Sequence, residues 1–157
     1  SDELVDLDPG TWNEVIAVNL TAVMLLLKSE IPLMRSAGGG SIVNFASIAG
    51  YNGERRRAAY VAAKAGLIGL TKTAAPECAG AGVRVNAVVP GPVGNDLFFA
   101  NAGGRGSSRH REVEAAIPLG RVAEMHEIAN AAVWLLGDEA SFVTGHALVV
   151  DGGFSAQ

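Results

Sequence analysis

Two short runs, SIVNFAS (41–47) and VRVNAVVPG (83–91), carry a single charge between them and are rich in β-branched residues. Both read as buried strands. Between them lies AAYVAAKAGLIGLTKTAAPECAGAG, a stretch of helix formers far too long for a hairpin. A strand, a long helical crossover and a second strand pair in parallel, with the crossover helix lying on the sheet. A third strand, in HALVVDGG, follows another helical segment, EMHEIANAAVWLLGDEA. The order helix, strand, helix, strand, helix, strand predicts an α/β fold. It is a partial doubly wound parallel sheet of about three strands, with helices on both faces.

The leading helix is DLDPGTWNEVIAVNLTAVMLLLKSEIPLM, with Asp8 as N-cap and Pro9 at the first helical position. Trp12, Ile16, Asn19, Val23, Leu26 and Leu27 recur at helical spacing, and Pro32 with SAGGGS is expected to end the element. Pro76 falls inside the second helical stretch. A proline there removes one hydrogen bond and costs about 3 kcal/mol or more, which predicts a kink or an end near Thr73. In the third helix Ile128, Ala131, Val133, Leu135 and Leu136 are expected on the apolar side. Residues 92–115, rich in Gly, Ser, Asn and Arg, read as a mobile loop with at most one short helix.

At 157 residues the chain is one ordinary domain, and at 49% hydrophobic against 18% charged it can bury a core rather than stay disordered. A net charge of −4 disfavours a nucleic-acid partner. The basic runs Arg55-Arg56-Arg57 and Arg105 to Arg111 read as solvated loop charge, with an anchor for an acidic substrate or a cofactor phosphate as the other reading. Cys78 is the one cysteine, which suits a reducing compartment. Ser1 to Gly10 lacks the basic start and apolar run of a signal peptide, and the apolar stretch Leu20 to Leu27 is too short to span a bilayer. The expectation is a cytoplasmic protein without a membrane partner. His110, His126 and His146 have no metal-ligand spacing, and no GxSxG surrounds Ser47. They are expected at a loop surface, a helix surface and a strand entry.

Tyr60 and Lys64 stand four positions apart, on one helical face. A free phenol titrates near 10, and a neighbouring cation favours its anion. A tyrosine so placed can pass a proton to or from an alcohol or carbonyl oxygen. Ser47 ends the first strand, at the edge where open parallel sheets bind ligands, and can donate to that same oxygen. It also reads as a turn serine. Pro90-Gly91 closes the second strand at the same edge, as a plain turn or to let backbone approach a flat ligand. Asn19 is a polar amide in an apolar helix, which requires a partner either in packing or in a site.

NFASIAGYNGERRRAAYVAAKAGLIGLTK, VRVNAVVPGPV and PLGRVAEMHEIANAAVWLLGDEASFVTGHALVVDGG together resemble the short-chain dehydrogenase/reductase family, from about Leu7 to the end. The resemblance implies a Rossmann-type sheet and hydride exchange between NAD or NADP and an alcohol or ketone. Tyr60 would be the acid/base, Lys64 its activating cation and ribose ligand, and Ser47 the residue that orients the substrate oxygen. Asn19, in VNL, would join a water relay to Lys64. Pro90, Gly91 and Val93 would lie beside the nicotinamide, and residues 92–117 would form the substrate lid, centred on Asp96 to Ile117. Asn95 stands where the family usually has a threonine on the cofactor, and can replace one of its hydrogen bonds.

The family's opening glycine-rich turn has no counterpart in the chain, which therefore resembles a C-terminal catalytic portion. By typical domain size, roughly ninety residues would precede it. Weak dinucleotide binding by this polypeptide alone is expected, and self-association through the unpaired first strand. A homo-oligomer, dimer or tetramer, is implied. The other reading is a non-catalytic assembly module that uses the small residues Ala58, Ala59, Ala62, Ala63, Ala65, Gly66 and Gly69. Phe98 and Phe99 either pack the lid or line a substrate pocket.

Overall fold

The computed structural model describes residues 2–156; Ser1 and Gln157, the ends of the range read as one domain, lie outside the described residues. Three parallel strands form one sheet in the order β1 (Gly40–Phe45), β2 (Val83–Pro90), β3 (Ala147–Val150). Gly40 pairs with Val83 and Phe45 with Val88, and Ala87 to Pro90 pair with Ala147 to Val150. β2 is covered on both faces, which is why it reads as an almost unbroken apolar run.

α1 (Pro9–Ile16) runs through one π turn (Ala17–Thr21) into α2 (Ala22–Ser36). Asp8 caps it as expected, its Oδ2 accepting from the Thr11 N–H at 2.7 Å. α3 (Ala58–Ala79) packs beside α2 on one sheet face. There Leu27, Ile42, Ala74, Ala75, Cys78, Val83 and Val85 form one part of the core, and Leu67, Ile68, Ala87 and Val89 the next. α6 (Met125–Leu136) covers the other face through Ile128, Ala132 and Leu135 against Val88.

Both prolines expected to interrupt helices sit inside them: α2 continues past Pro32 to Ser36, and α3 past Pro76 to Ala79. The carbonyls they orphan, those of Lys28 and Lys72, belong to exposed residues, where water can take the bond. The opposite side of α3 meanwhile holds the helix to the sheet through Thr71, Ala74, Ala75 and Cys78. The segment read as loop holds two short helices, α4 (Asp96–Ala102) and α5 (Ser108–Ala115). Each is started by a capping side chain, Asn95 Oδ1 on the Phe98 N–H and Ser107 Oγ on the His110 N–H.

The apolar stripes are only partly covered. Leu27 is the one buried residue of α2, while Leu26 is exposed; on α6, Val133 and Leu136 are exposed and Ala132 takes the buried position. By length and composition alone, the continuous helix Pro9–Ser36 could cross a membrane, a property that the run Leu20–Leu27 does not reveal. Leu20 and Val23 pack into the core beneath α3, so one side of that helix is committed to the sheet layer.

Candidate active site

The carboxyl ends of β1 and β2 and the start of α3 bring the expected residues to one rim. After β1 the chain makes a single 3₁₀ turn, Ile48–Gly50, begun by Ser47, whose Oγ accepts from the Ala49 N–H at 3.2 Å. This turn lies directly on α3: a Cβ at Gly50 would stand 2.9 Å from the Lys64 carbonyl carbon and oxygen. Only glycine permits that approach, which seats the Ser47 turn against the α3 backbone at Lys64.

Lys64 is half-buried, and its Nζ donates to the Phe45 carbonyl at 2.9 Å while standing 5.5 Å from the Tyr60 ring centre. Burial pushes the ammonium below the ordinary lysine value. No protein group among the described residues hydrogen-bonds the Tyr60 hydroxyl. The site thus holds an anchored cation, a phenol with its oxygen uncommitted, and a serine hydroxyl at the end of the adjoining strand. A phenol and an ammonium so placed can share the hydroxyls of a sugar or an alcohol.

Asn19 sits in the π turn, and its Nδ2 donates to the Val15 carbonyl at 3.1 Å. Such turns widen a helix by one residue and recur at functional sites. Asn19 and Lys64 line the same groove, about 380 Å³, between the helix Pro9–Ser36 and the open edge of β1. Pro90 and Gly91 end β2, and Val93 pairs with Ala123 beyond the sheet. At Gly91 the missing side chain is filled by the chain itself, since a Cβ would stand 2.7 Å from the Asp151 Cβ. Glycine there serves the contact with the end of β3. Asn95 spends its carbonyl oxygen on the α4 cap, which leaves its NH₂ as a donor.

The family profile described as enoyl-(acyl carrier protein) reductase matches residues 1–155. The chain belongs to the short-chain dehydrogenase/reductase family. A cyclohexanol dehydrogenase of Acinetobacter sp. is 43% identical over 93% of the chain and 55% of its own length. The cis-4-hydroxycyclohexanecarboxylate dehydrogenase of Sinomonas cyclohexanicum is 42% identical over 98% of the chain and 60% of its own. A solved structure assigned as an NAD(P)-dependent gluconate 5-dehydrogenase from Beutenbergia cavernae, with NADP bound, superposes at a TM-score of 0.94 with 40% identity. It is matched over 99% of this chain and 62% of that one. The chain therefore spans somewhat over half the length of the relatives it matches.

In this short-chain dehydrogenase/reductase chain several supports of the site went unread in the sequence. Asn44 Nδ2 donates to Thr71 Oγ1 at 2.9 Å, and Thr71 donates to the Leu67 carbonyl, a buried link between β1 and α3 just below Lys64. Arg84 gathers the last carbonyls of α6, those of Leu135, Leu136 and Gly137, at 2.7–3.2 Å. Asp151, in the expected DGG segment, is driven up by burial. Donors from the Ser155 hydroxyl and N–H, Gly153 and Phe154 outweigh that and hold it below the usual range.

His110, expected at a loop surface, is largely buried between Phe98 and Phe99, with ring centres 5.9 and 5.2 Å away. Its Nδ1 accepts from the Gly106 N–H, and its Nε2 lies 3.3 Å from Glu114 Oε1. That contact does not have hydrogen-bond geometry. The two phenylalanines thus pack around His110 between α4 and α5. Among the described residues no cluster of His, Cys, Asp or Glu could hold a metal.

Proposed function

We propose that this chain supplies the proton-transfer site of an NAD(P)-dependent oxidoreductase acting on a small alcohol/ketone pair. The observation that carries the reading is the Tyr60 hydroxyl, left without a protein partner beside the anchored ammonium of Lys64. Bound NAD or NADP would take up or deliver the hydride. Tyr60 would accept the proton of the alcohol, or return it to the ketone oxygen. Lys64 would favour the negative charge on the phenol oxygen and hold ribose hydroxyls. Ser47 Oγ accepts from the Ala49 N–H in its turn, which leaves its O–H to donate to the substrate oxygen. Pro90, Gly91, Val93 and the amide of Asn95 would flank the nicotinamide, and Asn19 would extend the polar path from Lys64.

The donor set fits a ribose, with one phenol and one ammonium at a common rim. The relatives named for cyclohexanol and for cis- and trans-4-hydroxycyclohexanecarboxylate support a cyclic secondary alcohol as the substrate class. Residues 92–117, with two capped helices around an aromatic cluster, are suited to a substrate lid. Exposed Val133, Trp134, Leu136 and Phe142 on and after α6 support a homo-oligomer. The single buried thiol of Cys78 fits a cytoplasmic setting.

Tyr60→Phe tests the reading. It keeps the ring, so assembly is expected to be unchanged, while turnover of cyclohexanol with NAD⁺ or NADP⁺ falls by ~10²–10⁴-fold. A variant with wild-type turnover would falsify the assignment.

A further inference from the structure

The loop before α3 carries a feature that proton transfer does not use. Arg57, three residues ahead of Tyr60, holds its guanidinium carbon 4.2 Å from the centre of the phenol ring. Glu54 binds it through one nitrogen only, Nη1, with carboxylate oxygens at 2.9 and 3.0 Å. Nε and Nη2 have no partner among the described residues, and the side chain is 44% exposed. Around it the loop sets three arginines against one glutamate; Arg55 and Arg56 reach Glu3 only at 3.7 and 3.9 Å. Arg56 has φ 63°, the one non-glycine residue in the left-handed region among those described, and it immediately precedes Arg57. That backbone state is costly for a side-chain-bearing residue and survives only where surroundings hold it.

We propose that Arg57 is a specificity-determining residue, whose free guanidinium edge receives a carboxylate carried by the alcohol that Tyr60 serves. The inference rests on the dehydrogenase reading and names its substrate class as hydroxy acids. A stacked guanidinium presents its fork in a fixed plane, and a planar carboxylate matches that fork through two parallel bonds. The guanidinium carbon lies 4.2 Å from the phenol ring centre, and a 4-hydroxycyclohexanecarboxylate carries its hydroxyl and its carboxylate on opposite sides of one six-membered ring. Glu54 is the resident competitor. It neutralises the arginine in the free site without occupying its second edge.

Two measurements test this on the chain as it stands. In ¹⁵N-edited spectra, cyclohexanecarboxylate is expected to shift the Arg57 Nε–H signal saturably, with neutral cyclohexanol producing no such shift. Glu54→Gln is expected to tighten the carboxylate response two- to threefold. In turnover, Arg57→Gln is expected to lower the ratio of kcat/KM for 4-hydroxycyclohexanecarboxylate over cyclohexanol by ~10–100-fold, the usual weight of a charged hydrogen bond. Arg57→Lys is expected to recover part of that ratio. An Arg57 signal that responds to neither ligand, or an unchanged ratio in the glutamine variant, overturns the proposal and leaves the dehydrogenase reading intact. A carboxylate-specific shift in a chain that turns over neither alcohol upholds the anion contact, and the missing turnover then falls on the weak dinucleotide binding expected of this polypeptide alone.

Discussion

At the scale of single residues, the site depends on a polar link that lies wholly out of water. Thr71 accepts from the Asn44 amide and donates to the Leu67 carbonyl, joining β1 to the helix that presents Tyr60 and Lys64. Thr71→Val keeps the shape but leaves the Asn44 NH₂ buried and unpaired, which costs about 1–3 kcal/mol. Urea unfolding of that variant is expected to fall by this amount, and an unchanged midpoint would remove the link from the account. The places of Tyr60 and Lys64 on one helix and of Ser47 just past a strand end were legible in the sequence because both are local patterns. Asn44 and Thr71 were not, because their meaning lies in a contact across 27 residues. Arg57 was legible only as charge. The fork geometry that gives it a direction comes from the fold.

At the scale of elements, capping decides where helices begin. Glu124 and Glu127 form a reciprocal box at the start of α6, and Arg121 pairs with Glu127 at 2.7 Å through both nitrogens. Glu127 is held at about 2, against an ordinary 4.5, first by the Arg121 hydrogen bond and then by the Glu124 N–H. A carboxyl depressed in the fold stabilises it fully above the unfolded value, and that contribution is lost as pH falls from about 4.5 to about 2. Glu127→Gln is therefore expected to lower the urea midpoint at pH 7, with the gap to the parent closing across that acid window. The pair is exposed, so added salt narrows the gap as well. A gap that does not vary with pH would remove the carboxylate from the explanation. Helix existence was readable from periodicity, whereas persistence through Pro32 and Pro76 was not. It depends on which side of each helix meets the sheet, and on water reaching the other.

At the scale of the whole molecule, β1 is an edge strand with Phe45 half exposed, beside a helix that keeps Val18, Leu25 and Leu26 on the surface. Edge strands with apolar flanks pair with whatever chain is available. Sedimentation is expected to show weight-average mass rising with concentration, and Phe45→Lys to suppress that rise. A constant monomer mass in the parent chain would contradict it. The three-strand parallel sheet was legible because crossover length forces handedness and direction. The covering of its outer faces was not, since a stripe of apolar residues does not state what will lie on it.

The Phe45 carbonyl, last in β1, is the group that Lys64 grips. Any polypeptide that settled along that strand would therefore pull on the same peptide unit that steadies the Lys64 ammonium. Completion of the sheet and the proposed proton exchange would be felt through one oxygen atom.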